Sequence, residues 1–157
     1  MAGGHTVTEH DVKRPWRLSR RVLPQHTDHA GVMWHGAYVA WLEEARVRAL
    51  EQAGLSYAEL SAQGYELPVV NLAIQYRQAL LHGDAVEVHS WSEPRSGVKW
   101  PWISHFVRAD GSVAAEAQVD LVLVERLAGP QQRRLLRHPP AGLAMALERL
   151  ATGPNQG

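Results

Sequence analysis

The chain has no cysteine. That single absence removes disulfides, thiolate metal sites and a cysteine nucleophile, and leaves the compartment open. It also has no excess of either charge, because 16 Lys and Arg residues balance 16 Asp and Glu residues. A broad basic surface for nucleic acid is therefore not expected. No apolar run approaches the roughly 20 residues needed to cross a bilayer. The N-terminal stretch MAGGHTVTEHDVKRPW lacks the apolar centre of a secretory signal, so a cytoplasmic setting is the expectation. There is no Gly-x-Ser-x-Gly elbow, which speaks against a serine hydrolase. Internal repeats, linkers and low-complexity blocks are missing too.

What remains is an ordinary globular balance. Of the 157 residues, 45% are apolar and 20% charged, enough for one domain with a real core. Residues 1–14 are expected to be flexible, 15–150 to form the domain, and 151–157, with Gly153 and Pro154, to be a frayed tail.

Trp16 to Leu23 is expected as a first strand. Pro24 and Gly31 then bracket a loop. From Tyr38 the period changes: Tyr38, Trp41, Leu42, Ala45, Ala49, Leu50 and Ala53 recur at three- and four-residue steps, the mark of one buried helical stripe. The helix is expected to start near His35 or Gly36 and to stop at Gly54. Ser56 and Glu59 form a capping box for a second, short helix closed by Gly64. Four strands are expected next: Leu67 to Tyr76, Ala85 to Trp91, Val98 to Arg108 and Ser112 to Arg126. Gly83-Asp84, Ser96-Gly97 and Asp110-Gly111 sit between them as tight-turn signals. Pro101 points to an edge position or a bulge, and Pro140 to Leu150 to a final helix. The order is that of an α+β domain, an antiparallel sheet of about five strands with one principal helix on a face. Such a sheet has open edges, so a homodimer or homotetramer is expected.

The stretch QHTDHAGVMWHGAYVAW sets Asp28 among three histidines, just ahead of the main helix. Free N–H groups at a helix start favour negative charge nearby. An acyl carbonyl placed there would have its developing oxyanion stabilised, and one such donor is worth about 3 kcal/mol of barrier. A carboxylate of ordinary pKa, about 4, is ionised at neutral pH and can attack or activate water. The two parts make a minimal acyl-transfer site.

The run TDHAGVMWHGAYVAWLEEAR, followed by GLS and VVNLAIQYRQALLHGDAVEV, resembles the hotdog-fold acyl-CoA thioesterases of the 4-hydroxybenzoyl-CoA thioesterase type. The likeness spans Arg17 to Leu150. It implies a curved antiparallel sheet wrapped around one long helix, with subunits pairing sheets and active sites at their interface. It further implies Asp28 as the catalytic carboxylate, nucleophile or general base. By the same likeness the His35 backbone N–H polarises the thioester carbonyl, Gly31 lets the loop bend back onto the helix, and Glu43 stands at a position that is catalytic in a related branch. Many relatives read Asp-Thr-Asp where this chain has His26-Thr27-Asp28, which changes the local field around Asp28. The implied reaction is hydrolysis of an aliphatic or aromatic acyl-CoA, with no metal and no cofactor beyond the CoA of the substrate. A thiol leaving group of pKa about 8.5 departs without a strong general acid, which suits so sparse a site.

Each residue also has a plainer reading. Asp28 is then a turn cap, His26 and His29 are loop residues, and Glu43, with Glu44, Arg46, Arg48 and Glu51, belongs to a mostly solvated helix face. Trp91, Trp100 and Trp102 are sheet packing or an apolar acyl lining. Arg133, Arg134 and Arg137 either meet the CoA phosphates or form a basic exposed loop. Three rival functions stand beside the thioesterase. A metallohydrolase would use His26, Asp28 and His29, although Pro24 fills the place of the leading histidine in that signature. A hotdog enoyl-CoA hydratase would need its aspartate and histidine closer than Asp28 and His35. The third rival is a non-catalytic acyl-binding module.

Overall fold

A computed structural model of the protein describes residues 14–155. The expected flexible N-terminus thus lies, apart from Arg14, outside the described residues. So do the last two residues of the tail.

The chain opens with strand β1 (Trp16–Arg21) and one 3-10 turn at Pro24–His26. Helix α1 (His35–Gln52) follows, then α2 (Tyr57–Ala62). Strands β2 (Tyr65–Glu66), β3 (Val69–Tyr76), β4 (Ala85–Ser92), β5 (Trp100–Arg108), β6 (Val113–Leu121), β7 (Val124–Arg126) and β8 (Arg133–Leu135) come next. Helix α3 (Ala141–Thr152) closes the fold, so Ala151 and Thr152 extend a helix into the expected tail.

Five strands make the main sheet in the order β1-β4-β5-β6-β3, antiparallel throughout. Period-two alternation decides its faces. Val86, Val88, Ser90 and Ser92 of β4, and Trp102, Ser104 and Phe106 of β5, turn inward and are buried. Trp100 joins them, partly buried, whereas Trp91 stands on the outer face against the His105 ring, 4.8 Å away. The alanine-rich stripe of α1 fills the inner side, with Tyr38, Trp41, Leu42, Ala45, Ala49 and Leu50 all buried. Each large apolar side chain so buried contributes about 1.5–3 kcal/mol. Gly54, at φ +95°, ends α1 in the left-handed region that glycine adopts without strain. Ser56 and Glu59 make the expected reciprocal cap of α2, at 3.1 and 3.2 Å.

Four expectations need correction. Pro101 is not on an edge, because β5 runs between β4 and β6. It is tolerated because it is the second residue of the strand, at the end of the ladder, where its carbonyl accepts from Glu93 N–H at 2.9 Å and no N–H is required of it. The bulge on that strand falls instead at Phe106/Val107. Ser112 to Arg126 is not one strand: after Leu121 the chain leaves the main sheet, and β7 joins a second sheet, β2-β7-β8. Finally, no hairpin links β3 to β4. Both sides of β4 are taken, by β1 and β5, and β3 crosses over to pair with β6. No helix among the described residues is long and apolar enough to cross a membrane.

Candidate active site

The loop from Thr27 to Trp34 is held by its own backbone. Thr27 and Met33 form an antiparallel bridge. Inside it Asp28 N–H donates to Val32 O at 2.9 Å and Gly31 N–H to Asp28 O at 3.1 Å. Gly31 takes φ +77°, a conformation costly for any side chain, so the turn depends on glycine there. The Asp28 side chain then locks the turn, its Oδ1 accepting from Ala30 N–H at 2.8 Å and Val32 N–H at 3.2 Å. Its other oxygen takes no donor among the described residues, and the side chain is exposed. The plain and the chemical readings of Asp28 are therefore compatible: one oxygen caps the turn and the other is open.

The loop is also sewn to the rest of the fold. Met33 N–H donates to Leu80 O at 2.8 Å and His82 N–H to Gly31 O at 3.1 Å. Leu80 to His82 belong to the connection between β3 and β4, whose next residues, Gly83 and Asp84, bond to Val22 just after β1. On its other flank Trp34 N–H donates to His26 O at 3.0 Å, which sets the direction in which α1 starts.

Helix α1 begins at His35, as expected, and its start is bare. Trp34 occupies the N-cap position and has no side-chain oxygen to offer, and the first turn holds no acidic residue. Serine, threonine, aspartate or asparagine normally satisfies these amides, at about 1 kcal/mol. Here the first N–H groups, those of His35 and Gly36, keep their donor capacity and the positive end of the helix dipole. An uncapped helix start beside a carboxylate with one open oxygen can bind a carbonyl and deliver an oxygen to it.

Asp28 and Gly31 share one hydrogen-bonded turn, and His35 begins the helix four residues after Gly31. Glu43 does not join them closely, because eight residues of helix carry it about 12 Å further along α1. It is exposed on the flank that also bears His35 and Val39. Arg133 grips Glu66 with two nitrogens, at 2.9 and 3.3 Å, and Arg134 pairs with Glu125, all in the small sheet. Arg137 lies just beyond β8, where its carbonyl accepts from Arg95. His26 Nδ1 accepts from Leu23 N–H at 3.0 Å and its ring stands edge-on to Trp41. No three His, Cys, Asp or Glu residues among those described are grouped to hold a metal.

Three features were not legible from residue patterns. Trp34 is half exposed at the helix start. Arg46, expected on the solvated face of α1, is instead 7% exposed, because it falls beside Ala45 and Ala49 on the packed side, and its Nε has no hydrogen-bond partner. The row Val69, Val70, Leu72 and Tyr76 of β3 is open to solvent. The missing cap at position 34 was the only available signal for the first. An open cavity of about 720 Å³ lies on the β1 flank of α1, lined by Arg20, Arg21, Gln25, His26, Trp41 and Glu44 among others. Neither Asp28 nor His35 lines it, so it is set apart from the chemistry.

Near the site, Tyr38 packs edge-on against Tyr76 and Phe106, at 5.0 and 4.9 Å. Burial, aided by the Tyr76 phenol, pushes the Tyr38 hydroxyl up to about 12. It stays neutral and serves as packing.

A five-stranded sheet folded around α1, with a glycine-bent aspartate loop at the helix start, is the hotdog arrangement of a thioester-cleaving class. The chain belongs to the thioesterase-like superfamily, whose sequence profile matches residues 22–144. It is 36% identical over 116 residues to a putative esterase of Synechocystis sp., covering 73% of this chain and 70% of that one. It is 28% identical over 112 residues to the acyl-CoA thioester hydrolase YbgC of Escherichia coli O6:H1, covering 71% and 84%. Among solved structures, a hypothetical protein of Thermus thermophilus superposes with a TM-score of 0.73 at 30% identity, over 85% of this chain and 98% of that one.

Proposed function

We propose that the protein hydrolyses acyl-CoA thioesters to the free acid and CoA. The observation that carries this reading is the pairing of an uncapped α1 start with the half-free Asp28 carboxylate. The substrate carbonyl accepts from His35 N–H, where the helix end stabilises the negative charge that grows on oxygen. Asp28 supplies the attacking oxygen, either its own or that of a water whose proton it takes. The C–S bond breaks, and the thiolate leaves and is protonated by solvent. The reaction needs no metal or prosthetic group; CoA belongs to the substrate. The name of the YbgC relative, an acyl-CoA thioester hydrolase, supports the substrate class. A cytoplasmic setting goes with that substrate.

The working unit is an oligomer of this chain. Helix α1 packs on β1 and β4 and leaves the inward row of β3, Leu72, Ile74 and Tyr76, incompletely covered. A second copy joined along β3 would cover that row and roof the Asp28 loop, which is exposed on one chain. A dimer is the minimum and a tetramer two of these. Of the three arginines, Arg137 is proposed to meet a CoA phosphate, because among the described residues no carboxylate holds its guanidinium.

The test is release of free thiol from a panel of aliphatic and aromatic acyl-CoA thioesters by wild type and Asp28→Asn. Turnover by wild type with loss in the variant, at unchanged circular dichroism, is the expected result. Equal rates would refute the role of Asp28. Hydration of crotonyl-CoA would favour the hydratase instead, and binding without turnover the acyl-binding module. A single turnover in ¹⁸O-water probes the oxygen source: label on Asp28 identifies it as nucleophile, with water opening the mixed anhydride at the Asp28 carbonyl.

A further inference from the structure

Trp34 is the N-cap residue of α1, with extended backbone (φ −86°, ψ 155°), and its side chain folds back over the first helical turn. The contact is with Gly36. A Cβ on Gly36 would lie 2.5 Å from Trp34 Cζ2 and 2.6 Å from Cζ3, and closer still to Cη2. The six-membered half of the indole therefore rests on the bare Cα of Gly36, and no larger residue leaves room for it. On its other side the indole meets the His35 imidazole edge-on, with ring centroids 5.1 Å apart.

The ring is held, yet it is not core. It remains 45% exposed while Ala37, Tyr38 and Trp41, just beyond it, are buried. A large apolar ring fixed in this way and left half in water has a face ready for another apolar group. Its position decides which group. The peptide N–H immediately after it is that of His35, where the proposed thioester carbonyl docks. The acyl chain leaving that carbonyl passes beside the indole. Val39, one helical turn beyond His35, and Leu81, bridged to Val32 of the loop, are further exposed apolar residues.

We propose that Trp34, seated on Gly36, is the wall against which the acyl group packs, and that this pair sets selectivity for apolar acyl groups larger than acetyl. The inference rests on the thioesterase reading. A hydrophobic wall discriminates by contact area, and adding or removing even one methylene in such a pocket changes kcat/KM about 10–200-fold. Gly36 acts only through Trp34, which makes the pair testable as a cycle.

The experiment measures kcat/KM for acetyl-CoA, hexanoyl-CoA and benzoyl-CoA in wild type, Trp34→Ala, Gly36→Ala, the double variant and Trp34→Phe. Oligomeric state is checked by light scattering and fold by circular dichroism. Trp34→Ala should lower the ratio of a larger substrate to acetyl-CoA about tenfold or more, mainly through KM. Gly36→Ala should move the same ratio in the same direction by displacing the ring. In the double variant the Gly36 change should add nothing, and Trp34→Phe should restore most of the ratio. The larger of the two losses, hexanoyl or benzoyl, reports whether the wall takes a chain or a ring. Equal losses on all three substrates, or additive effects in the double variant, would overturn the inference while leaving the thioesterase reading intact. Wild type inert toward all three would overturn both.

Discussion

Strands β1 and β3 are the two edges of the main sheet, and the chain finishes them in opposite ways. On β1, Trp16 and Leu18 are buried, and the Trp16 indole N–H donates to Leu150 O of α3 at 3.0 Å. Its outward residues are Arg17, Ser19 and Arg21, while Arg20 shares the inward row and reaches helix α1. Arg17 faces Glu87 at 3.7 Å, Arg20 is tied to Glu44, and Arg21 donates to Gly83 O at 2.7 Å. A helix on one side and fixed cations on the other discourage any further strand from pairing. On β3 seven of the eight residues are exposed and the eighth, Ile74, is only partly covered, with Val70 and Tyr76 more than half open. An apolar, unguarded edge is a pairing surface rather than a boundary. The Asp28 loop is laced to the segment that leaves β3. The asymmetry thus teaches that one edge closes the subunit and that the other is the edge the proposed assembly would use.

The largest expected effect lies at the Asp28 loop. Asp28→Asn should lower kcat about 10²–10⁴-fold with little change in KM or melting temperature. A loss of fold instead would mean that the turn bonds of Oδ1, not the chemistry, were removed. Next, Leu72→Lys should weaken self-association about 10–100-fold, the equivalent of losing one buried leucine at about 1.5–3 kcal/mol. The control, Ser19→Lys on β1, should change neither mass by light scattering nor activity. Equal dissociation by both would erase the difference between the edges.

Between the edges, the buried Ser90 and Ser104 hydroxyls bond to each other at 2.7 Å across β4 and β5. Ser104→Ala alone should cost about 1–3 kcal/mol by leaving Ser90 unpaired, whereas the double alanine variant should be nearly neutral in urea melts. The smallest effect is expected on the outer face, which both edges share. Burial holds the His105 imidazole below the ordinary histidine range, with Glu116 opposing and His89 and Arg77 adding to the shift. The folded protein thus resists protonation there, and the unfolded chain binds more protons below about pH 6.5. Stability should be fully present above that pH and decline as pH falls, and His105→Gln should flatten the decline. Equal acid profiles would dismiss the effect.

Local rules were readable where one segment decides its own shape. The three- and four-residue spacing from Tyr38 to Ala53, the Ser56–Glu59 cap and the glycine at position 31 each answer to neighbours within a turn or two. The reading went astray where partners are distant. Pro101 looked like an edge residue because its place in the strand order depends on β4 and β6. Gly83-Asp84 reads as a tight turn between successive strands, yet nothing local tells β3 that β6, not β4, is its neighbour. At the site, Asp28, Gly31 and the start of α1 were legible from the motif. Trp34 was not, since its role depends on which way a ring folds. The openness of β3 was hidden for a different reason: its alternation is that of any half-buried strand.

Residue order alone determined that this chain is α+β, that one long helix follows a glycine-bent aspartate loop, and that Asp28 and His35 stand at its start. Those outcomes rest on short-range hydrogen bonds and side-chain periodicity, which are properties of contiguous residues. Only the tertiary structure decided that α1 covers the β1 side of the sheet and leaves β3 mostly exposed, that the small sheet ties down Arg133 and Arg134, and that the Trp34 indole rests on Gly36. These depend on which surfaces are left over once the core is filled, and that remainder is a property of the packed whole.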